Sequence, residues 1–540
     1  MRHHRTIRSF CLAITVLLLG CGGEQALPPV LIPPPIQSPP RSFAPSPVAT
    51  PKIPSFETTV TNFGALPSDG VDDTAAIQRA LDAVNAAGGG TLIFTEGRYD
   101  VAIDGASRRA LTLYARTRLL ARPGAPATIR LADRQPSYES VMATASYPTR
   151  LDDVEFVGLT FDANGLNNPI RDPEETNGDA PGQTANPTLR YFIRSFAGSR
   201  VRLSGVTFTN ADVGNSVSFN GTAITDVIIE NSKFINVGGA LIDHDHSSVY
   251  FDGRRVRIAN NEFRSRNGAG TIGARTAIET HGDDVEVRDN LVEGFLQGIN
   301  IVGRITDPSR QLMVRNRLIN VAVGVNIWPL ADSANNGPAF TSLTVRDNDI
   351  TIDADRWWRS PAMVIGLAAG IHFEAGIARA RLERLEILDN RITFDNFAGE
   401  RPDADRVSVG IGVRGIEGAL TVTLLNIARN HVRNAIGPCI LSTAIIGGEA
   451  QSQIADNVLT DCARSPHLIG AGDALRTGIA IGGTTSNLLI RSNMIRSTLN
   501  PASLLTSVFL GGHCIARCFA TSNGSLPVQI TGVGWLEAGP

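Results

Sequence analysis

Charge is scarce in this chain of 540 residues: 19% of it is Asp, Glu, Lys or Arg, and 49 basic residues nearly cancel 52 acidic ones. A net charge of −3 leaves no electrostatic footprint for a nucleic acid, so no nucleic-acid partner is expected. Lysine is almost missing, with Lys52 and Lys233 its two occurrences. Aromatic residues make up 6% and His nine positions, so any place where several of them gather carries weight. Long apolar runs are missing too: the one at residues 10–19 is too short to span a bilayer. What the chain has in quantity is Gly, 53 residues in a sequence 42% hydrophobic, the composition of a turn-rich globular β protein and not of a disordered one.

The apolar run follows Arg2, Arg5 and Arg8 and ends Leu18-Leu19-Gly20-Cys21. Basic residues, a short apolar stretch and small residues are the features of an export signal. The last four residues resemble the lipobox of bacterial lipoproteins, which implies removal of residues 1–20 and lipidation of Cys21; a plain signal that happens to contain Cys is the alternative. Gly22 and Gly23, with no Asp behind the Cys, fit sorting to the outer membrane or cell surface. Residues 21–54 hold Pro28-Pro29, Pro33 to Pro35 and Pro39-Pro40 without apolar periodicity, the pattern of an extended tether. Of the six Cys, Cys439, Cys462, Cys514 and Cys518 remain after the leader, and an oxidising compartment would allow disulfides of undetermined pairing. A zinc site including His513 is the weaker idea, since the spacing fits no standard pattern.

The folded body, residues 55–540, divides into a cap with first coils (55–150), repeat coils (151–500) and a C-terminal cap (501–540). The repeat shows best in residues 248–292, where V-Y-F-D-G-R-R-V-R-I-A-N-N-E-F from Val249 aligns without a gap on I-E-T-H-G-D-D-V-E-V-R-D-N-L-V from Ile278. Each copy is an alternating strand, a Gly turn, and a second alternating strand ending in Asn. That Asn recurs as Asn261, Asn290, Asn316, Asn348, Asn390, Asn430, Asn457 and Asn493. Stacked Asn side chains can satisfy buried turn backbone, so these are expected to be structural. With no helical periodicity between strands, the chain is expected to be all-β: a single-stranded right-handed parallel β-helix acting as one long body. Polar insertions at 162–190, 349–369 and 395–407 are candidates to rim a binding site.

Ahead of the coils stand F-G-A at 63–65, D-G-V-D-D-T-A-A-I-Q-R-A-L-D-A-V at 69–84, Gly88 to Gly90, and T-L-I-F-T-E-G-R-Y at 91–99. Asp73 is the expected N-cap of a helix whose stripe is Ile77, Leu81 and Val84, which covers the open end of the solenoid. This opening resembles the pectate-lyase superfamily, specifically its rhamnogalacturonase/epimerase-like pectate lyase domain, over about 40 residues; the resemblance implies a right-handed parallel β-helix and action on polysaccharide.

Aligning the strands coil by coil gives two outward columns. One reads Ser218, Tyr250, Glu279, Asn300, Asn326, His372, Gly412; the other Asn220, Asp252, His281, Val302, Trp328, Glu374, Arg414. Tyr250, Asp252, Glu279 and His281, with Arg275 entering their strand, are the candidate catalytic residues on an exposed sheet. Asn300, Asn326, Trp328, Trp357, Trp358, His372 and Glu374 are the candidate substrate-binding ones. For each, an exposed polar residue without function is the competing reading, and Trp357 and Trp358 could simply bury against a coil. Asp243, His244, Asp245 and His246 are a weaker metal candidate; no cofactor is otherwise implied, and Ca2+ is the one ion left open. A lyase needs a base, a donor for the leaving oxygen and groups that neutralise a uronate carboxylate. His281 or Tyr250 could serve as base or acid, and Arg275 and Asn300 as neutralisers. A glycosidase needs two carboxyl groups, for which Asp252 and Glu279 stand on adjacent coils. The polygalacturonase-type hydrolases of the same fold place acidic residues where this chain has Thr276, Gln297, Val323 and Ala369, so their mechanism does not carry over. The expected function is cleavage of a uronic-acid-containing glycan by a monomeric, lipid-anchored protein, elimination ahead of hydrolysis. A non-catalytic glycan-binding or structural β-helix is the rival.

Overall fold

The computed structural model describes residues 46–136, 138–146, 149–168, 190–211, 215–238, 247–265, 275–303, 309–329, 339–354, 367–375, 380–395, 408–415, 419–465, 473–498, 504–521, 523 and 527–537. Among them is one α-helix, Thr74–Ala86, followed by short parallel strands wound into a right-handed β-helix. Two successive coils show the rule. Ser247–Phe251, Arg254–Ala259 and Glu262–Ser265 form one; Thr276–Thr280, Asp283–Arg288 and Leu291–Glu293 form the next. Val249 pairs with Ile278, Val256 with Val285 and Phe263 with Val292, the register of the gapless sequence alignment.

Alternate residues of each strand point inward and build a dry interior. On the sheet built by the third strand of each coil Phe208, Phe234 and Phe263 stack on successive coils, with centroids 5.1 and 4.5 Å apart and planes 12° and 8° apart. The recurring Asn form an unbroken ladder from Asn261 to Asn493. The Oδ1 of each accepts from the backbone N–H and the Nδ2 of the Asn before it, as Asn316 does from Asn290 at 3.1 and 3.0 Å. Each Nδ2 also donates to a buried carbonyl, such as Ile258 O from Asn290 at 2.9 Å. Asn523 adds a rung that the repeat pattern had not shown.

Ile77, Leu81 and Val84 of the helix are fully buried against the first coils, as a cap requires. Asp73 precedes the helix, but its side chain does not cap it. It has φ −90° and ψ 0°, and its Oδ1 accepts instead from the Leu66 N–H at 3.0 Å. Asp72 Oδ1 takes the Thr74 N–H at 2.9 Å. At the other end the chain continues coiling: Thr506–Leu510 pairs with Thr477–Ile481, and Val528–Ile530 pairs with Thr506–Leu510. Cys439 is bridged to Cys462 and Cys514 to Cys518, so the cysteines beside His513 are disulfide sulfurs and not zinc ligands. No helix among the described residues is long and apolar enough to cross a membrane.

Candidate active site

The face built by the first strand of each coil carries the predicted columns. Ser218, Tyr250, Glu279, Asn300, Asn326, His372 and Gly412 pair in series on successive coils. Val249, Phe251, Ile278 and Thr280 point inward and are fully buried. In the second column Val302 pairs with Trp328 and Glu374 with Arg414. Asp252 and His281 occupy equivalent strand ends, their N–H groups bonded to Phe219 O and Phe251 O. Glu279 and Glu374 are thus three coils apart, roughly 14 Å at about 4.8 Å per coil, too far to act as a carboxyl pair.

Four of the candidate residues meet. His281 Nε2 lies 3.0 Å from Glu279 Oε1, and its Nδ1 lies 3.9 Å from Asp252 Oδ1. The Tyr250 ring centroid is 4.9 Å from that of His281, the planes tilted by 40°. Ser247, on the strand before Glu279, donates its hydroxyl to Glu279 Oε2, so both carboxylate oxygens are held. Burial pushes the Glu279 carboxyl up, yet the His281 hydrogen bond and charge, the Ser247 hydroxyl and the Arg275 charge together leave it below its ordinary value. Glu279 is therefore a carboxylate, an acceptor only, so the His281 Nε2 that faces it is the donor of their hydrogen bond.

The expectation of an exposed patch needs correction. The side chains of Glu279, His281 and Asp252 are 15%, 7% and 1% exposed, and Asn300, Asn326 and His372 are buried. Outward side chains on coils about 4.8 Å apart lie against one another, so an outward face is not an open one. The buried chain of contacts runs on along the axis. Asn326 Nδ2 donates to Asn300 Oδ1 at 2.9 Å, and His372 Nδ1 is 3.4 Å from Asn326 Oδ1. Glu374 Oε2 then stands 3.4 Å from His372 Nε2 and 2.8 Å from Arg414 Nη1. Burial lowers the His372 imidazole, and the His372 hydrogen bond lowers Glu374. Trp328 does stand free, 45% exposed, at the end of the Asn326 strand.

Ser247 and Arg194 were not found from the sequence. Ser247 sits one place before the column positions, where no titratable residue draws notice. Arg194 extends the first column by one coil before Ser218, on a strand, Tyr191–Ser204, that lacks the Gly-apolar start by which the others align. Its guanidinium lies over the Tyr191 and Phe196 rings, 4.3 Å from each centroid, and pairs with Glu139. Trp357, Trp358, Asp243, His244, Asp245, His246 and Cys21 lie outside the described residues. Among the described residues no group of three His, Cys, Asp or Glu side chains could hold a metal ion. Thr276, Gln297, Val323 and Ala369 lie in one buried column, without a carboxyl group where the hydrolases of this fold would need one.

Fold and site together define a right-handed parallel β-helix with a carboxylate–imidazole–phenol cluster on one outward face. No family model matches the chain. Over 125 residues it is 34% identical to mannuronan C5-epimerase AlgE3 of Azotobacter vinelandii, covering 23% of this chain and 7% of that one. Over 145 residues it is 36% identical to mannuronan C5-epimerase AlgE6 of the same organism, covering 26% and 16%. The chain thus spans less than a fifth of the length of these curated relatives. A mutant tailspike protein of E. coli bacteriophage HK620 has a TM-score of 0.63 at 14% identity, covering 88% of this chain and 78% of that one. The tailspike in complex with a pentasaccharide scores 0.58 at 14% identity, covering 89% and 80%. At such identity the likeness speaks for the fold.

Proposed function

We propose that the chain acts on a polysaccharide containing uronic acid, and that the cluster around Glu279 removes the proton beside the sugar carboxylate. The observation that carries this reading is the state of Glu279. A glycosidase requires one carboxyl group with a raised pKa to protonate the leaving oxygen. Glu279 is held the other way, as a carboxylate clamped between Ser247 and His281. Such a carboxylate fixes the imidazole tautomer and strengthens it as a base. His281 then takes the C5 proton, the C5–H electron pair forms the C4=C5 double bond, and the C4–O bond breaks. The Tyr250 phenol supplies the proton to the departing glycosidic oxygen. Arg275 and Asn300 neutralise the carboxylate, whose charge rises as the proton leaves.

A second outcome of the same first step is epimerisation, in which a proton returns to C5 from the opposite face and no bond to oxygen breaks. The names of the Azotobacter vinelandii relatives favour it. Incubation with polyuronates in D2O separates the readings. New ultraviolet absorbance from an unsaturated sugar marks elimination; deuterium at C5 without absorbance marks epimerisation. New reducing ends with neither sign, on neutral glycans as on uronates, would mean hydrolysis and overturn the proposal. Retention of polymer without any product would favour the binding protein. We further propose that the protein is exported and anchored through Cys21, which mass spectrometry of the mature N-terminus would test.

A further inference from the structure

The stretch before the helix, expected from its prolines to be an extended tether, makes a regular set of hydrogen bonds to the body. Residues 46–54 read S-P-V-A-T-P-K-I-P and contain neither helix nor strand. Three of them bond to the body. Lys52 N donates to Asp153 Oδ1 at 2.9 Å, Ala49 N to Asp226 Oδ1 at 3.2 Å, and Ser46 Oγ to Asp284 Oδ2 at 3.2 Å.

The three aspartates belong to one turn of the solenoid. Asp153, Arg200, Asp226, Arg255 and Asp284 occupy the same place on five consecutive coils, each just before a paired Val. All five have φ between 52° and 57°, so the same left-handed turn repeats and acidic and basic residues alternate along it. Arg200 grips Asp153 through Nε at 2.6 Å and Nη2 at 2.7 Å. Arg255 grips Asp226 in the same way at 2.8 and 2.6 Å, and Arg310 pairs with Asp284. Each arginine orients a carboxylate, and each carboxylate accepts one further bond from the segment.

The spacing explains why every third residue makes the bond. Prolines 47, 51 and 54 favour the polyproline II conformation, which rises about 3.1 Å per residue and makes three residues per turn. Three residues advance about 9.3 Å. Two coils at about 4.8 Å advance about 9.6 Å, so acceptors on alternate coils meet donors on alternate turns of the strap.

We propose that the Asp153, Asp226 and Asp284 column is a docking surface for an extended proline-rich peptide with a three-residue period, and that its occupant is the chain's own 46–54 segment. The latch clasps five coils and places Ser46 at the coil bearing Glu279 and His281. This holds whatever reaction the site performs.

Amide hydrogen exchange on the full chain, resolved to single residues, tests it without substrate. A free polyproline II segment has solvated amides that exchange at the rate of an unstructured peptide. The latch predicts slowing of at least tenfold at Ala49 and Lys52 and none at Val48 and Thr50. Ala49→Pro and Lys52→Pro remove the donors without altering any coil. Each should abolish slowing at the other position and speed protease cleavage between 46 and 54. Uniform fast exchange in the native chain, or proline variants that leave the other position's exchange unchanged, would overturn the proposal.

Discussion

Ser247 and Glu279 stand on neighbouring strands, and the serine hydroxyl holds the carboxylate oxygen that His281 leaves over. Glu279 is thereby kept anionic despite its burial. Its pKa is depressed, so its stabilising contribution is present above the ordinary carboxylate value and is lost as pH falls through the lower folded one. Removing one donor should move that loss upward. Ser247→Ala is expected to shift the acid limb of kcat/KM toward higher pH and to lower activity about tenfold at neutral pH. Glu279→Gln should lower it by about 10²-fold or more, the scale of lost general acid–base assistance, without altering the melting temperature by more than a few degrees. A pH–rate profile of the serine variant identical to that of the native protein would count against the clamp.

The imidazole itself gives a second test. His281→Ala removes the base but leaves Tyr250, Arg275 and Asn300 in place, so the variant should still bind polyuronate while forming neither unsaturated nor deuterated product. Binding measured by calorimetry beside product formation distinguishes this from a misfolded protein. Full activity would remove His281 from the mechanism.

Why Tyr250 and Glu279 could be placed together from sequence alone is a matter of translation. In a solenoid a gapless offset of 29 residues becomes one coil in space, so aligned letters become neighbours, as Val249 and Ile278 are. Alternation likewise tells which side of the strand a residue leaves. It does not tell what lies over that side, and so Asp252 was expected in the open and is 1% exposed. Ser247 escaped because a lone Ser carries no chemical signature until a carboxylate is seen beside it. The 46–52 strap escaped because proline content predicts extension, not where an extended segment lies. Asp73 shows a local rule overruled: its position suits a cap, but the Leu66 N–H takes its oxygen.

Trp328 is large, apolar and 45% exposed on the strand that carries Asn326, two coils beyond Glu279. Its ring is not part of the buried core of the described residues, and sugar rings stack on aromatic faces. Trp328→Ala should therefore leave thermal stability within about 0.5 kcal/mol, the usual range for exposed positions. It should raise KM for long polymers several-fold with kcat preserved. Equal KM values for polymer and trisaccharide in both proteins would exclude Trp328 from substrate contact.

Asn348 sits midway along the ladder, where its Oδ1 takes the backbone N–H of Asn316 at 2.9 Å and its Nδ2 reaches Met313 O at 3.1 Å. Asn348→Ala leaves a buried donor and a buried acceptor without partners, a cost of about 3 kcal/mol. Asn348→Asp should be worse, since a charge replaces the amide in a place where its Nδ2 had been a donor. Denaturant melts of both variants would show it, and a loss under 1 kcal/mol for the alanine variant would mean that the ladder is ornamental.

Asp73 lies between the helix cap and the first coils, and burial, with nearby Asp69 and Asp100 adding to it, raises its carboxyl to about 6. The sign follows from linkage: a raised folded pKa adds stability that is complete below the unfolded value and disappears as pH rises through about 6. The cap should consequently be firmer at pH 5 than at pH 8, by roughly 1.4 kcal/mol if the unfolded carboxyl titrates normally. Asp73→Asn keeps an oxygen for the Leu66 N–H and removes the charge. Its helix amides, followed by hydrogen exchange, should open at the same free energy at both pH values, whereas in the native protein those of Ile77, Leu81 and Val84 should open more readily at pH 8. The same pH dependence in both proteins would place the titrating group elsewhere.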